Sequence, residues 1–158
     1  MAVMKRTRVV EWFWRVHPFI YRISGGRLLG EMIGMPVLLL TTTGARTGSR
    51  RTTALTYLAY GDAYVVIGSF LGEPRHPGWV HNLRARPRAG IQVRDRKIAV
   101  AAREAHDTER EEIWSSLLAQ EPSYREYAER TEREIPVVVL EPEDDSRSPS
   151  GSSREPFR

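Results

Sequence analysis

The sequence predicts an α+β domain that is mainly β: a small antiparallel barrel of about six strands, with short flanking helices and an amphipathic N-terminal helix. Three observations carry this. A length of 158 residues, with 41% hydrophobic and 28% charged residues, fits one globular core rather than a disordered chain. Short β-prone runs come in pairs around turn signals, as hairpins do. The helical stretches between them are too short and too irregularly spaced for a doubly wound sheet.

Residues 7–22 mix bulky apolar residues with arginines as a helix, kinked at Pro18 and ended by Ser24-Gly25-Gly26. Val37-Leu38-Leu39-Leu40 is a continuous apolar run, the pattern of a strand covered on both faces. Thr52–Tyr60 and Ala63–Ser69 flank the turn Gly61-Asp62 as a hairpin. Pro77 suits the first position of a helix that carries Trp79 and Leu83, and Pro87 stops it. Ile91–Arg94 and Lys97–Ala102 flank Asp95-Arg96 as a second hairpin. Thr108 and Glu111 are spaced as a capping box for a helix with the stripe Ile113, Trp114, Leu117 and Leu118, broken by Pro122. A further short helix is expected over Ser123–Arg133, and a last buried strand over Ile135–Leu140. The domain therefore spans 31–142. Residues 1–30 form an N-terminal helix and linker, and 143–158, rich in Ser, Pro, Arg and acid, read as a disordered tail.

The absence of cysteine removes disulfides, thiolate metal sites and cysteine nucleophiles, and an intracellular, cytoplasmic protein fits this. The four histidines lack metal-ligand spacing, so no metal site is expected. Formal charge is +4, and it is concentrated: residues 1–30 carry six basic residues against Glu11, together with Trp12, Phe13, Trp14, Phe19 and Tyr21. Such a helix has two uses. It can make a membrane-surface contact through residues 1–24, at the inner face of the plasma membrane, or pack its apolar side on the barrel or at a homodimer contact. No apolar run is long enough to cross a bilayer. Nucleic-acid binding would rest on pI and arginines alone, without interleaved aromatics, and is not expected.

The unusual local feature is Thr41 to Thr53, a stretch of hydroxyls, two glycines and three arginines between strands. Glycines let backbone N–H groups approach an anion, hydroxyls donate, and arginine offers a planar fork that matches phosphate or carboxylate. The same composition also suits a solvated hairpin turn. Gly44 and Gly48 have the wrong spacing for a P-loop, and the P-loop lysine is missing. Tyr124 and Tyr127, three residues apart, share one helical face.

The stretch Pro36–Gly44, then Arg46-Thr47-Gly48, Arg51-Thr52-Thr53 and Leu55, resembles the deazaflavin-dependent nitroreductase and quinone reductase family. The likeness continues through His76-Pro77, Trp79, Asn82-Leu83, Pro87, Pro122-Ser123-Tyr124, Tyr127, Thr131, Arg133 and Ile135 to Val138. The resemblance implies a split β-barrel enzyme that transfers a hydride from reduced coenzyme F420 to a quinone or a nitro compound. It assigns Arg46, Thr47, Gly48 and Arg51 to the coenzyme's phosphate and polyglutamyl tail. Thr52, Thr53, Ala54 and Leu55 would line the ring, largely through backbone, with Ser69, Trp79 and Asn82 across the groove. Tyr124 would hold or protonate the acceptor, and Tyr127 would be part of a lid. Ala45, Phe70, Ala54 and Glu121 depart from the family's usual residues at their positions, with Arg50 and Arg75 near enough in sequence to replace lost charge. The alternative is a split-barrel module that binds an anionic cofactor of flavin or haem type without turnover.

Overall fold

The structure, a computed structural model, describes residues 31–32 and 34–143, so the expected N-terminal helix and nearly all of the expected tail lie outside the described residues. In chain order the elements are β1 (Glu31–Met32), β2 (Met35–Thr43), β3 (Arg50–Tyr60), β4 (Ala63–Ile67), a 3-10 turn (Phe70–Gly72) and α1 (Gly78–Ala85). They continue with β5 (Arg88–Val93), β6 (Arg96–Glu104), α2 (Asp107–Gln120), α3 (Tyr124–Glu129) and β7 (Val137–Pro142). The predicted hairpins β3–β4 and β5–β6 are present, and β2–β3 is a third. Two pairings between strands distant in sequence complete the sheet: β7 joins β4 to β6, and β2 bonds β5. Together they close an antiparallel barrel of six strands, with β1 as a short extension beyond β2.

The period-two alternation of strand side chains sorts the core into an inside and an outside. Leu38, Leu40, Val66, Ile91, Val100, Val138 and Leu140 point into the barrel, where α1 adds Trp79, Val80 and Leu83. The opposite faces of β4 and β7, through Val65, Ile67, Val137 and Val139, pack beneath Ile113 and Leu117 of α2 and beneath Tyr124 and Tyr127 of α3. This explains why β2 and β7 read as unbroken apolar runs: each is covered on both sides. Truncating a fully buried side chain such as Leu38 to Ala would cost about 2–5 kcal/mol.

Several boundaries moved, each for a tertiary reason. Thr41–Thr43 pair with Arg50–Thr52, so the polar stretch shrinks to a six-residue hairpin loop, 44–49. Pro77 is the residue before α1 rather than its first, with ψ of 151°. Thr108 does not cap α2: the helix starts at Asp107 after His106, without a side-chain cap, while Glu109 in its first turn bonds Arg103. α3 stops at Glu129, where the chain turns to send Arg130 and Arg133 to the 68–73 segment. β7 begins at Val137 because the Pro136 carbonyl accepts from Gly68 N–H. Glu143, the expected first residue of the tail, still donates its N–H to Ala99 and pairs with Arg88.

Candidate active site

The loop 44–49 is built rather than merely solvated. Gly44 N–H donates to Ser49 O at 2.7 Å, Gly48 N–H to Gly44 O at 2.9 Å, and Ser49 N–H to Thr47 Oγ1 at 3.2 Å. Gly48 has φ of +70°, a conformation that disfavours side chains. From α1, Asn82 accepts from Ala45 N–H at 2.9 Å through Oδ1 and donates Nδ2–H to Thr42 Oγ1 at 3.0 Å. Asn82 therefore shapes the loop, and both ends of its amide are engaged there.

Arg46, Arg50 and Arg51 are exposed, and none has an acidic partner among the described residues. A fourth arginine, which sequence reasoning missed, joins them. Arg86, just past the end of α1, brings Nη1 within 3.6 Å of where a Cβ on Gly48 would stand, and it too lacks an acid among the described residues. Arg75 lies instead against the Phe70 ring, 5.6 Å from its centroid. Of the two residues expected to lie near the altered positions, Arg50 adjoins the loop that holds Ala45 and Arg75 lies against Phe70.

β3 leads away from these arginines. β2 pairs with it from Arg50 to Thr56, but β4 pairs with it only from Tyr57 to Tyr60. On the β4 side, the edge from Thr53 to Thr56 has no strand partner among the described residues, so alternate backbone N–H and C=O groups there lie outside the sheet ladder. Alternation also divides the four residues expected at the ring. Ala54 packs with Val37 and Leu39 on one face, while Leu55 packs toward the barrel interior on the other. Four consecutive side chains of a strand cannot share one ligand face, so the backbone edge is what they have in common.

The strand reaches Tyr124 six residues after Arg50, about 20 Å along at the usual strand rise. Tyr124 is 5% exposed, and its hydroxyl lies 3.0 Å from Thr56 Oγ1. Burial pushes the phenol pKa up to about 12, with the Thr56 hydrogen bond opposing. Tyr127 packs edge-on against it at 5.5 Å, and burial raises that phenol as well. The Glu121 carboxylate is buried and accepts from Ser123 N–H at 3.1 Å, which fixes the entry to α3.

Thus the arginine loop and Asn82 are assembled at the start of β3 and Tyr124 against its middle, at Thr56. Trp79 is 6% exposed within the barrel core rather than on an open wall. Ser69 is buried in the 68–73 segment, whose next two residues, Phe70 and Leu71, have φ of 47° and 56°. Consecutive left-handed non-glycine residues are strained and persist only where their surroundings enforce them.

A sequence model of the F420H(2)-dependent quinone reductase family matches residues 12–142. An F420H(2)-dependent quinone reductase of Mycobacterium tuberculosis is 44% identical over 130 residues, covering 80% of this chain and 87% of that protein. Among solved structures, an F420-H2 dependent reductase, FDR-A, is 36% identical with a TM-score of 0.62, over 67% of this chain and 94% of its own. A second, described as a domain-swapped dimer, is 30% identical with a TM-score of 0.64, over 84% of this chain and 99% of its own. A heme binding protein from Mycobacterium smegmatis shares the fold alone, at 20% identity and a TM-score of 0.52, over 68% of this chain and 46% of its own. Because the family match runs unbroken through the arginine loop, the open edge of β3 and Tyr124, the chain belongs to the F420H(2)-dependent quinone reductase family.

Proposed function

We propose that this chain reduces a quinone with a hydride from reduced coenzyme F420, the coenzyme's tail held at loop 44–49 and the acceptor at Tyr124. Membership of the family makes it an oxidoreductase with reduced coenzyme F420 as its cofactor. One observation carries the residue roles: a single strand, β3, joins a cluster of arginines without acids to an unpaired backbone edge and then to a buried tyrosine. The donor set fits an elongated, polyanionic ligand. Arg46, Arg51 and Arg86 match phosphate and carboxylate oxygens, and the Thr53–Thr56 edge offers both donors and acceptors to a heterocycle's polar edge.

When bound, the reduced deazaflavin supplies the hydride. The protein's own part is to orient and to stabilise charge. Tyr124 faces a developing oxyanion as a hydrogen-bond donor. With a pKa near 12 it keeps its proton throughout the neutral range and is a poor general acid, so preorganised stabilisation is the better role. The Thr56–Tyr124 hydrogen bond can run in either direction, and in the arrangement where Thr56 donates, the phenolic hydrogen is free to point at the acceptor. The same donor would reduce electron-poor nitroaromatics as a secondary activity.

Tyr124→Phe tests this assignment. Single-turnover oxidation of bound reduced coenzyme by a soluble quinone should slow by ~10²–10³-fold, the usual effect of losing one oxyanion donor, with coenzyme affinity within about threefold of wild type. A wild-type rate together with a wild-type KM for the quinone would remove Tyr124 from the reaction.

A further inference from the structure

Arg133 makes a bonding set that no role described so far requires. Its Nε donates to Glu73 O at 3.0 Å, Nη1 to Gly68 O at 3.1 Å, and Nη2 to Ser69 O at 2.8 Å. Nη1 also lies 2.9 Å from His76 Nδ1. Four of the five guanidinium N–H groups are therefore engaged by one segment, 68–76, across more than 55 residues of sequence. A guanidinium has no acceptor and does not lose its proton, so His76 Nδ1 must be the acceptor and the ring must be neutral with its hydrogen on Nε2.

The segment so held is the strained one. Phe70 and Leu71 are both left-handed, and Gly72, with φ of +79°, has no room for a side chain because a Cβ would meet Tyr127 O at 2.9 Å and Arg130 Cβ at 2.8 Å. Arg130 Nη1 donates to Leu71 O at 3.4 Å. The 3-10 turn is thus pressed against α3 and tied to the chain that leaves α3. Helix α3 carries Tyr124, and the turn follows β4 just after β4 stops pairing with β3.

We propose that Arg133 is a positioning residue for hydride transfer, fixing the 68–73 turn against α3 so that the turn and Tyr124 keep one relative geometry beside the Thr53–Thr56 edge of β3, and that neutral His76 is part of this clamp. The inference rests on the reading that Tyr124 faces the acceptor. Protonating His76 would place an N–H against the Nη1 donor, turning an attraction into a repulsion. The charged and titratable groups around His76 are Arg133, Arg84, His81, which packs edge-on at 5.8 Å, and Glu104. Burial first, and then Arg133, lower the His76 pKa below its ordinary 6.5. The clamp is therefore complete above that ordinary value and is lost as pH falls through the lowered one.

The test uses Arg133→Lys and His76→Asn in the full chain. Lysine keeps the charge but cannot span four acceptors, whereas asparagine offers an amide oxygen near the Nδ1 position that does not titrate. Hydrogen exchange of the 68–73 amides without coenzyme should accelerate by at least about tenfold in Arg133→Lys. Single-turnover oxidation of bound reduced coenzyme should slow by ~10-fold or more, since small misplacements of reacting groups are costly, while coenzyme affinity stays within about threefold. Wild-type chain should lose rate below pH 6.5, and His76→Asn should lose that acid limb while keeping the neutral-pH rate. A wild-type transfer rate in a folded Arg133→Lys chain, whatever its melting temperature, would overturn the positioning role. An acid limb that persists in His76→Asn would overturn the part given to His76, and this measurement decides even if Arg133→Lys does not fold. Failure of the underlying reading would look different: Tyr124→Phe would be indistinguishable from wild type while Arg133→Lys remained slow.

Discussion

Arg84 and Arg86 lie two residues apart at the end of α1, yet they have different surroundings. Arg84 Nε donates to Glu104 at 2.8 Å, and it is one of a group of paired arginines along α1, β5, β6 and α2. Arg103 in that group bonds both Glu109 oxygens, at 2.7 and 2.8 Å, and Glu141 at 2.9 Å, while Arg88 meets Glu143 and Arg110 meets Glu134. Arg86 instead faces the 44–49 loop, where Arg46, Arg50 and Arg51 also lack acids among the described residues. Exposed ion pairs contribute little, commonly under about 1 kcal/mol, but they neutralise charge and leave nothing for a ligand. A cluster of like charges repels itself and does not help the fold, so under the proposed function its value lies in the coenzyme's anionic tail. Residue type is the same in both regions; the presence or absence of a carboxylate is what separates them.

The sharpest way to break this comparison is Arg51→Ala. Affinity for reduced coenzyme F420, followed by fluorescence titration, should fall by about 1.5–3 kcal/mol, the usual worth of a hydrogen bond to a charged group. Affinity for the tail-less deazaflavin chromophore should hold. An equal loss for both ligands would place Arg51 away from the tail. Arg86→Ala should follow the same pattern more weakly, at about 0.5–1 kcal/mol, because the guanidinium is exposed and screened. Its contribution should vanish in high salt, and a salt-independent loss would point to a contact other than charge. Arg103→Ala should leave coenzyme affinity unchanged and lower the melting temperature by only a few degrees. Hydrogen bonds from Arg103, the largest cause, hold Glu109 below the ordinary 4.5. The stability this pair adds is thus present above 4.5 and lost as pH falls through the lowered value. Glu109→Gln should flatten that part of the acid melting profile, and an unchanged profile would show the pair to be inert.

Local rules account for much of the fold. Turn signals at Gly61-Asp62 and Asp95-Arg96, with the apolar runs at 37–40 and 135–140, were enough to expect hairpins and a small barrel, because strand faces alternate and buried strands are continuous in apolar residues. The residue types that make loop 44–49 a candidate anion site were equally legible, since they are adjacent in sequence. Boundaries read less well: Thr108 and Glu111 have capping-box spacing, but a bidentate Arg103 on another element determines how Glu109 enters α2.

By itself the sequence determined the strands, their faces and an arginine- and glycine-bearing loop, with a tyrosine-bearing helix far downstream. Only the tertiary structure decided that β4 stops pairing with β3 at Tyr57, leaving an open edge, and that β7 and β5 close the barrel around it. It also decided that Tyr124 meets Thr56 across 68 residues, that Asn82 holds a loop 37 residues before it, and that Arg133 rather than a glycine alone secures the strained turn. The reason is the same throughout. Backbone propensity and alternation act between neighbours, whereas a hydrogen bond or an unpaired charge depends on which distant groups the closed barrel brings within a few ångströms.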